Sequence, residues 1–392
     1  MRDAYIVTAL RTPGGKQNRG SFKDTRPEDL LAFIIKTAIQ KTENLDAKEI
    51  ADVMVGCSFP EAEQGINIGR IASQMAGCPI EVSGATVNRF CSSGLEAVAQ
   101  ASLRVMAGWS DITIGAGVES MTAVPMGGTK PRPHPVFSRT NPEYYCSMGI
   151  TAENVANRYN ISREAQDEFA YQSQMKATNA MEKGLYTELI PTPATRFVKQ
   201  ANGTYQKETF LVDRDDGIRP TTTVEGLAKL RPAFAAGGSV TAGNSSQTTD
   251  GAAASIIMSE DAVNRLGLKP VAKLKCYTTV GCRPDEMGVG PKYAIPKLLE
   301  IAGVDLKEVG LFEINEAFAS QALYCCQDLG IDMEKVNING GAIALGHPLG
   351  CTGAKLCATL LANMQRNNVK YGIESMCIGS GMGAAALFEL CD

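Results

Sequence analysis

The chain has 392 residues, 44% of them hydrophobic and 20% charged, with a net charge of −4. That is the composition of a globular protein of two or three domain-sized units, and it offers nothing that points to nucleic acid. Twelve cysteines are scattered without C-x-x-C pairs or His/Cys ligand spacing, which argues against a zinc site or a disulfide scaffold and fits a reducing compartment. No apolar run approaches membrane-spanning length.

Asp3–Ala9 reads as a strand that starts almost at Met1, leaving no room for a signal peptide, so a cytoplasmic location is expected. A helix over Pro27–Lys41 leads to a strand at Asp52–Gly56. A second strand, Ala85–Arg89, runs into a helix over Ser92–Ala107, and a third covers Ile112–Gly115. The character then changes: residues 120–241 are rich in Pro, Gly, Thr and charge. They hold the loop Met126–Pro135 and a polar helix, Ser162–Glu182, with Ser162 as its N-cap. Lys130, Arg132 and Arg139 in this stretch offer charge to a phosphate or form plain solvated surface. Strands follow at Ser255–Met258 and Ala272–Thr278, then a helix at Ala294–Ala302, a strand at Leu311–Ile314, a helix at Gly353–Gln365 and a strand at Ser375–Gly379. Short β-rich runs alternating with helices predict a layered α/β fold.

Two stretches repeat. Leu45-Asp46-Ala47-Lys48-Glu49-Ile50 precedes the strand at 52, and Val304-Asp305-Leu306-Lys307-Glu308-Val309 precedes the strand at 311. A strand entering a glycine-rich helix start also recurs, at Val87–Gly94 and Val336–Gly353. The chain therefore reads as a duplicated unit, with a first half over 1–119 and 242–269, an inserted loop domain over 120–241 and a second half over 270–392.

Four segments carry chemistry. His347 is one of only two histidines and lies in 340–353, where five of fourteen residues are glycine. So many glycines are kept where something must approach the backbone closely, and the imidazole is the one side chain there that titrates near neutrality. Cys91 stands where a strand turns into a helix, so that unpaired amides and the helix dipole are expected to favour its thiolate. Cys377 ends another strand before Gly379-Ser380-Gly381, whose amides lie open beside a sulfur. Asn315, closing the strand at 311, offers an amide to a water or carbonyl oxygen, or caps the following helix.

Together, Asn88-Arg89-Phe90-Cys91-Ser92-Ser93-Gly94, Asn315-Glu316-Ala317-Phe318, the His347 segment and Cys377-Ile378-Gly379-Ser380-Gly381-Met382-Gly383 match four motifs in order. On them the chain resembles the thiolases, acyl-CoA:acetyl-CoA C-acyltransferases, over essentially its whole length. The resemblance implies a layered α-β-α-β-α arrangement of two similar halves with an inserted loop domain. It implies Cys91 as the acylated nucleophile, His347 as its base and Cys377 as the second acid/base. Oxyanions would meet His347 with a water on Asn315, and the amides of Cys91 and Gly379. Coenzyme A and acyl-CoA are the implied substrates, with no bound cofactor or metal. Their contacts would fall on Ser246, Arg219 and Leu230, with Met148, Ala317 and Phe318 lining the pantetheine tunnel. The implied assembly is a homodimer or homotetramer, and a hydratase/dehydrogenase partner is left open.

Short-chain biosynthetic members carry His where this chain has Ser147, so a degradative 3-ketoacyl-CoA thiolase of fatty-acid β-oxidation is expected, with acetoacetyl-CoA synthesis as the alternative. A ketoacyl synthase would want a second active-site histidine, and His134 lies in a Pro-rich loop. A hydroxymethylglutaryl-CoA synthase would lack the Cys377 motif. A non-catalytic lipid-binding relative would not need all three of Cys91, His347 and Cys377.

Overall fold

A computed structural model describes residues 1–391. The chain opens with β1 (Tyr5–Arg11), β2 (Gly15–Lys16), α1 (Pro27–Lys41), β3 (Asp52–Gly56), α2 (Ile68–Met75), β4 (Ser83–Val87), α3 (Ser93–Met106) and β5 (Ile112–Ser120). Residues 120–241 hold α4 (Phe137–Thr140), α5 (Met148–Arg158), α6 (Arg163–Glu182), the hairpin β6 (Thr192–Lys199) and β7 (Tyr205–Val212), and α7 (Val224–Ala228). β8 (Thr249–Met258) and α8 (Glu260–Leu266) follow. The remainder is β9 (Ala272–Gly281), α9 (Gly290–Ala302), β10 (Leu311–Ile314), α10 (Ala319–Leu329), α11 (Ala342–Leu345), α12 (Thr352–Asn367), β11 (Tyr371–Ile378) and β12 (Met382–Leu390).

Local sequence explains the long elements. α1 has Pro27 in its first turn, where a missing N–H costs nothing, Glu28 and Asp29 at its positive end and Lys41 at its negative end. Leu30, Leu31, Ile34, Ile35 and Ala38 form its buried stripe. α6 is capped by Ser162, whose hydroxyl accepts from the Ala165 amide at 3.2 Å. The strand expected to reach Arg89 stops at Val87: Asn88 Nδ2 donates to the Ser58 carbonyl and its Oδ1 accepts from the Phe90 amide, turning the chain early.

In the sheet, β4, β3 and β5 are parallel neighbours, followed by antiparallel β8 and β1. Past β1 come β9, β12 and β11 antiparallel, then β10 parallel to β11. The second set repeats the order of the first, with the counterpart of β4 reduced to a single parallel bridge, Phe312 to Val336. Both repeated stretches form a 3₁₀ turn entered by an aspartate: Ala47–Glu49 capped by Asp46, and Leu306–Glu308 with Asp305 and Glu308 in a capping box. The two strand sets, the first and second sheets, are continuous through one seam, where Tyr5 and Ile6 pair with Lys273 and Ala272.

α1 packs on the outer face of the first sheet with Val53, Val55 and Ile256. α9 covers the outer face of the second with Phe312, Ile373 and Leu387. Between the sheets lie α3 and α12, where Leu95 and Val98 meet Leu356 and Leu360. The layers therefore run α-β-α-β-α. β12, the β6–β7 hairpin and the helices α2, α5, α8 and α10 go beyond the elements expected from the sequence.

Candidate active site

The starts of α3 and α12, the two central helices, supply the chemistry. Cys91 sits in a 3₁₀ turn, Phe90–Ser92, immediately before α3, and Phe90 takes a left-handed φ of 45° to make the turn. The sulfur is 6% exposed and packs with Met121 and Leu349, flanked by Phe59 and Phe90. Burial pushes its pKa up to about 12, while the amides of Gly379 and of Cys91 itself donate to the sulfur and oppose the rise. Loss of hydration therefore works against the thiolate that the helix start favours. The two amides nevertheless lie beside the sulfur, an arrangement suited to oxygen charge developing there.

Cys377 is the penultimate residue of β11 and fully buried. Burial first, and then the proximity of Cys91, drives its pKa well above the usual thiol value. Its turn is made by Ser380 and Gly381, at φ 66° and 82°, and a Cβ on Gly381 would stand 2.4 Å from the Cys282 carbonyl. Gly379 is different: a Cβ there would meet Phe90 and Met148 at 3.6 and 3.9 Å, ordinary contacts.

His347 lies between α11 and α12 and is 4% exposed. Its Nδ1 is 2.5 Å from Thr352 Oγ1, and the Thr352 hydroxyl donates to the Pro348 carbonyl at 3.0 Å. With that proton engaged, Oγ1 accepts from Nδ1–H, which leaves Nε2 with its lone pair free for a proton. Asn315 Nδ2 is 3.4 Å from Nε2. Burial, and secondarily Lys355, holds the imidazole down at about 3, so it is neutral in the resting site. Asn315 Oδ1 has no protein partner, and α10 begins later with Phe318 as its N-cap, so Asn315 does not cap that helix.

Met148, Ala317 and Phe318 share one apolar cluster with Cys377, Met287 and Val240. The Ser246 amide donates to the Ala317 carbonyl at 3.0 Å, which places Ser246 beside that wall. Leu230 is 39% exposed and packs over Gly243, where a Cβ would be 2.5 Å from its Cδ1. Arg219 is exposed, with its amide fixed by Gln174 at 2.8 Å. Lys130, Arg132, Arg139 and His134 are also exposed; His134 Nδ1 accepts from the Phe137 amide and stands on the surface. Ser147 is exposed at the N-terminus of α5.

Several further residues at the site are not among those singled out in the sequence. Thr352 fixes the imidazole and lies five residues beyond it inside the same glycine-rich segment, so its spacing is a usable signal. The Gln247 carbonyl accepts from the His347 amide at 2.8 Å, and Phe234 stacks edge-on against Phe318 with centroids 5.9 Å apart. Glu119 anchors both neighbouring loops, accepting from Ser58 and Gly350 amides at 2.8 and 2.7 Å. Those three are remote in sequence and carry no local pattern.

Residues 4–261 match the thiolase N-terminal domain and residues 268–390 the thiolase C-terminal domain. A protein of Bacillus subtilis (strain 168) named 3-ketoacyl-CoA thiolase is 48% identical over 392 residues, covering all of both chains. The peroxisomal 3-ketoacyl-CoA thiolase A of Mus musculus is 46% identical, over 99% of this chain and 91% of its own. Among solved structures, the dimeric peroxisomal thiolase of Saccharomyces cerevisiae superposes with a TM-score of 0.88 at 41% identity, over 100% of this chain and 98% of that one. The Bacillus anthracis acetyl-CoA acetyltransferase does so with a TM-score of 0.89 at 35% identity, over 100% and 99%.

Proposed function

Because the chain belongs to the thiolase family, we propose that it cleaves 3-ketoacyl-CoA with CoA, releasing acetyl-CoA and a shortened acyl-CoA, as an acyltransferase of fatty-acid β-oxidation. The observation that supports the residue roles is the imidazole of His347 fixed by Thr352 at Nδ1 with Asn315 at Nε2, in a buried site where Cys91 lies close to the thiol of Cys377.

His347 Nε2 takes the Cys91 proton and the sulfur attacks the C3 carbonyl. One set of amides holds the oxyanion on the carbon under attack. The carbon–carbon bond breaks, leaving an acetyl-CoA enolate whose oxygen is held by His347 and a water on Asn315. Cys377, kept protonated by burial, gives its proton to the enolate carbon. The resulting Cys377 thiolate takes the proton of an incoming CoA thiol, which attacks the acyl-Cys91 thioester. Cys91 leaves as thiolate and recovers its proton from His347. Each oxyanion donor lowers its barrier by about 2.7–4 kcal/mol. The neutral resting pair of thiol and imidazole limits uncoupled reaction of Cys91 before substrate arrives.

The wall of Met148, Ala317 and Phe318 takes the pantetheine arm, with Ser246 beside it and Leu230 and Arg219 farther out at the exposed end. The decisive measurement is kcat/KM for 3-ketoacyl-CoAs of increasing length at fixed CoA. Values should rise with length before levelling, because each buried methylene contributes up to about 0.8 kcal/mol. A steep fall beyond acetoacetyl-CoA would restore the synthetic reading, acetoacetyl-CoA from two acetyl-CoA, which the likeness to the Bacillus anthracis enzyme favours.

A homodimer is the proposed assembly. β4 lies at an open sheet edge, and Ile66, Ile80 and Met75 stand nearby at 91%, 78% and 50% exposure. A hydratase/dehydrogenase is the class of partner that would supply the substrate. We place the enzyme in the cytoplasm on its cysteine usage, none being in a disulfide. No helix among the described residues is long and apolar enough to cross a membrane.

A further inference from the structure

The proton transfers through His347 leave a buried cation next to it without a role. Lys355, on α12, is 3% exposed. Its ammonium donates to the Leu345 carbonyl at 2.5 Å and to the Gly346 carbonyl at 3.2 Å, the two carbonyls that immediately precede His347. Gly346 makes the turn with φ 80°, and a Cβ there would stand 2.3 Å from Thr249, so no other residue fits this backbone. The segment is gripped on both sides of that point as well: Glu316 accepts from the Ile343 amide at 3.1 Å and Glu119 from the Gly350 amide at 2.7 Å.

Behind the ammonium lies a closed set of buried charges. Asp215 is 3.9 Å from Lys355 and accepts from Arg11 at 2.9 and 3.1 Å and from the Gly14 amide at 2.7 Å. Arg11 also donates to Glu188 at 3.0 Å, and Glu188 accepts from Thr359 at 3.1 Å. Two cations thus face two carboxylates. Burying an ammonium is expensive even when paired, yet an apolar residue here would leave the carbonyls before His347 without donors.

We propose that Lys355 is a positioning residue for His347: its hydrogen bonds fix the turn that aims the imidazole, and its charge keeps the ring in the neutral form that acts as base. The titratable groups around the pair are Arg11, Glu188, Asp215 and Cys351 on the Lys355 side, and Cys91, Cys377 and Glu119 toward the substrate. Burial and then Lys355 depress the imidazole to about 3, while burial takes Lys355 itself down to about 8.

This inference rests on His347 being the base, so its test uses a readout that needs no CoA. The pH dependence of Cys91 alkylation by iodoacetamide, mapped by peptide mass spectrometry, is compared in the wild type and in Lys355→Met, Lys355→Gln and Lys355→Arg. Loss of the cation raises the proton affinity of the imidazole and of the Cys91 thiol alike. In the two neutral variants the alkylation limb should therefore move to higher pH by about one unit, and in Lys355→Arg it should stay. Thiolysis kcat should fall about 10- to 100-fold in Lys355→Met, with KM for CoA within about twofold. An unmoved limb in the neutral variants, or an equal shift in Lys355→Arg, overturns the proposal. If Lys355→Met does not fold, Lys355→Gln and Lys355→Arg decide between the same outcomes. A wild type that alkylates at Cys91 but fails to cleave any 3-ketoacyl-CoA would overturn the thiolase reading and leave this comparison standing.

Discussion

The same passage from sheet to central helix is built twice in this chain, and only the second copy is long. In the first half β4 ends at Val87 and α3 begins at Ser93, with Cys91 in the tight turn between. In the second half the chain leaves the bridge at Val336 and reaches α12 only at Thr352, with His347 near the end of the detour. Ten residues after each capping aspartate the copies differ again: Gly56 in the first, Asn315 in the second. Gly56 must be glycine, since a Cβ would lie 2.1 Å from the Ser93 backbone. Asn315 has room for a side chain that reaches His347. One copy therefore gives up side chains so that α3 can approach and hold the nucleophile rigidly. The other opens a gap and fills it with polar groups that manage protons.

Removing the reacting group from either copy tests that division most severely. Cys91→Ala should abolish turnover and leave no acyl adduct after incubation with acetyl-CoA; an adduct at Cys377 instead would reverse the assignment. His347→Ala, which loses base and oxyanion donor together, should lower kcat by about 10²–10⁴-fold, with both acylation and carbon–carbon cleavage slowed.

Cys377→Ala should act unequally. Transfer of acetyl from acetyl-CoA to Cys91 needs no α-carbon proton and should fall far less than thiolysis, which does. Equal losses in the two assays would show that Cys377 serves both steps. Gly379→Ala should be milder, about tenfold in kcat if it displaces one amide by part of its hydrogen-bond length. The added methyl meets only ordinary contacts with Phe90 and Met148, so thermal unfolding should be unchanged; a large drop in Tm would mean the glycine serves the fold.

The smallest effect concerns the sheets. Where the first half pairs Met54 with Gly115, the second pairs Glu313 with Glu374 across β10 and β11. Burial raises Glu313 to about 8, and burial with Glu313 nearby raises Glu374 well above the carboxylate range. Neither Glu374 oxygen has a partner. A folded-state pKa above the unfolded value of about 4.5 means the folded form holds the extra proton. Stability from the pair is therefore full below about pH 4.5 and declines as pH rises toward 8. Glu374→Gln should flatten that decline, seen as a Tm that falls by several degrees less between pH 5 and 8 than in the wild type. Parallel Tm curves would show that these carboxyls are not coupled to folding.

How much of this is legible in the residues alone follows from the same contrast. Cys91, His347 and Cys377 each lie in a short run rich in glycine or serine, poor for a core, so each stands out on sequence alone, while Asn315 shows only as a polar residue closing an apolar strand. The duplication shows in its capping aspartates, because a 3₁₀ turn is written in consecutive residues. β12 is not legible because its alanine-rich run reads equally as helix, and α10 because cysteine and alanine dilute its apolar stripe. Glu119 and Gln247 are invisible for a different reason: their partners come from elsewhere in the fold, and Lys355 meets its nearby carbonyls only because the chain folds back before α12. The helix-start argument for a Cys91 thiolate is sound locally and loses to burial, which no local pattern reveals.

The place of β1 in the sheet has a consequence for how the protein is made. Tyr5 is hydrogen-bonded through its strand to residues around Met258 on one side and Lys273 on the other. β1 is thus the seam and is made before both of its partners β8 and β9, which exist only after roughly 250 more residues are synthesised, at about 5–20 residues per second on the order of tens of seconds. For that time α1, β3 and β5 carry apolar faces with no closing strand beside them, a nascent chain suited to a holding chaperone until β8 and β9 emerge.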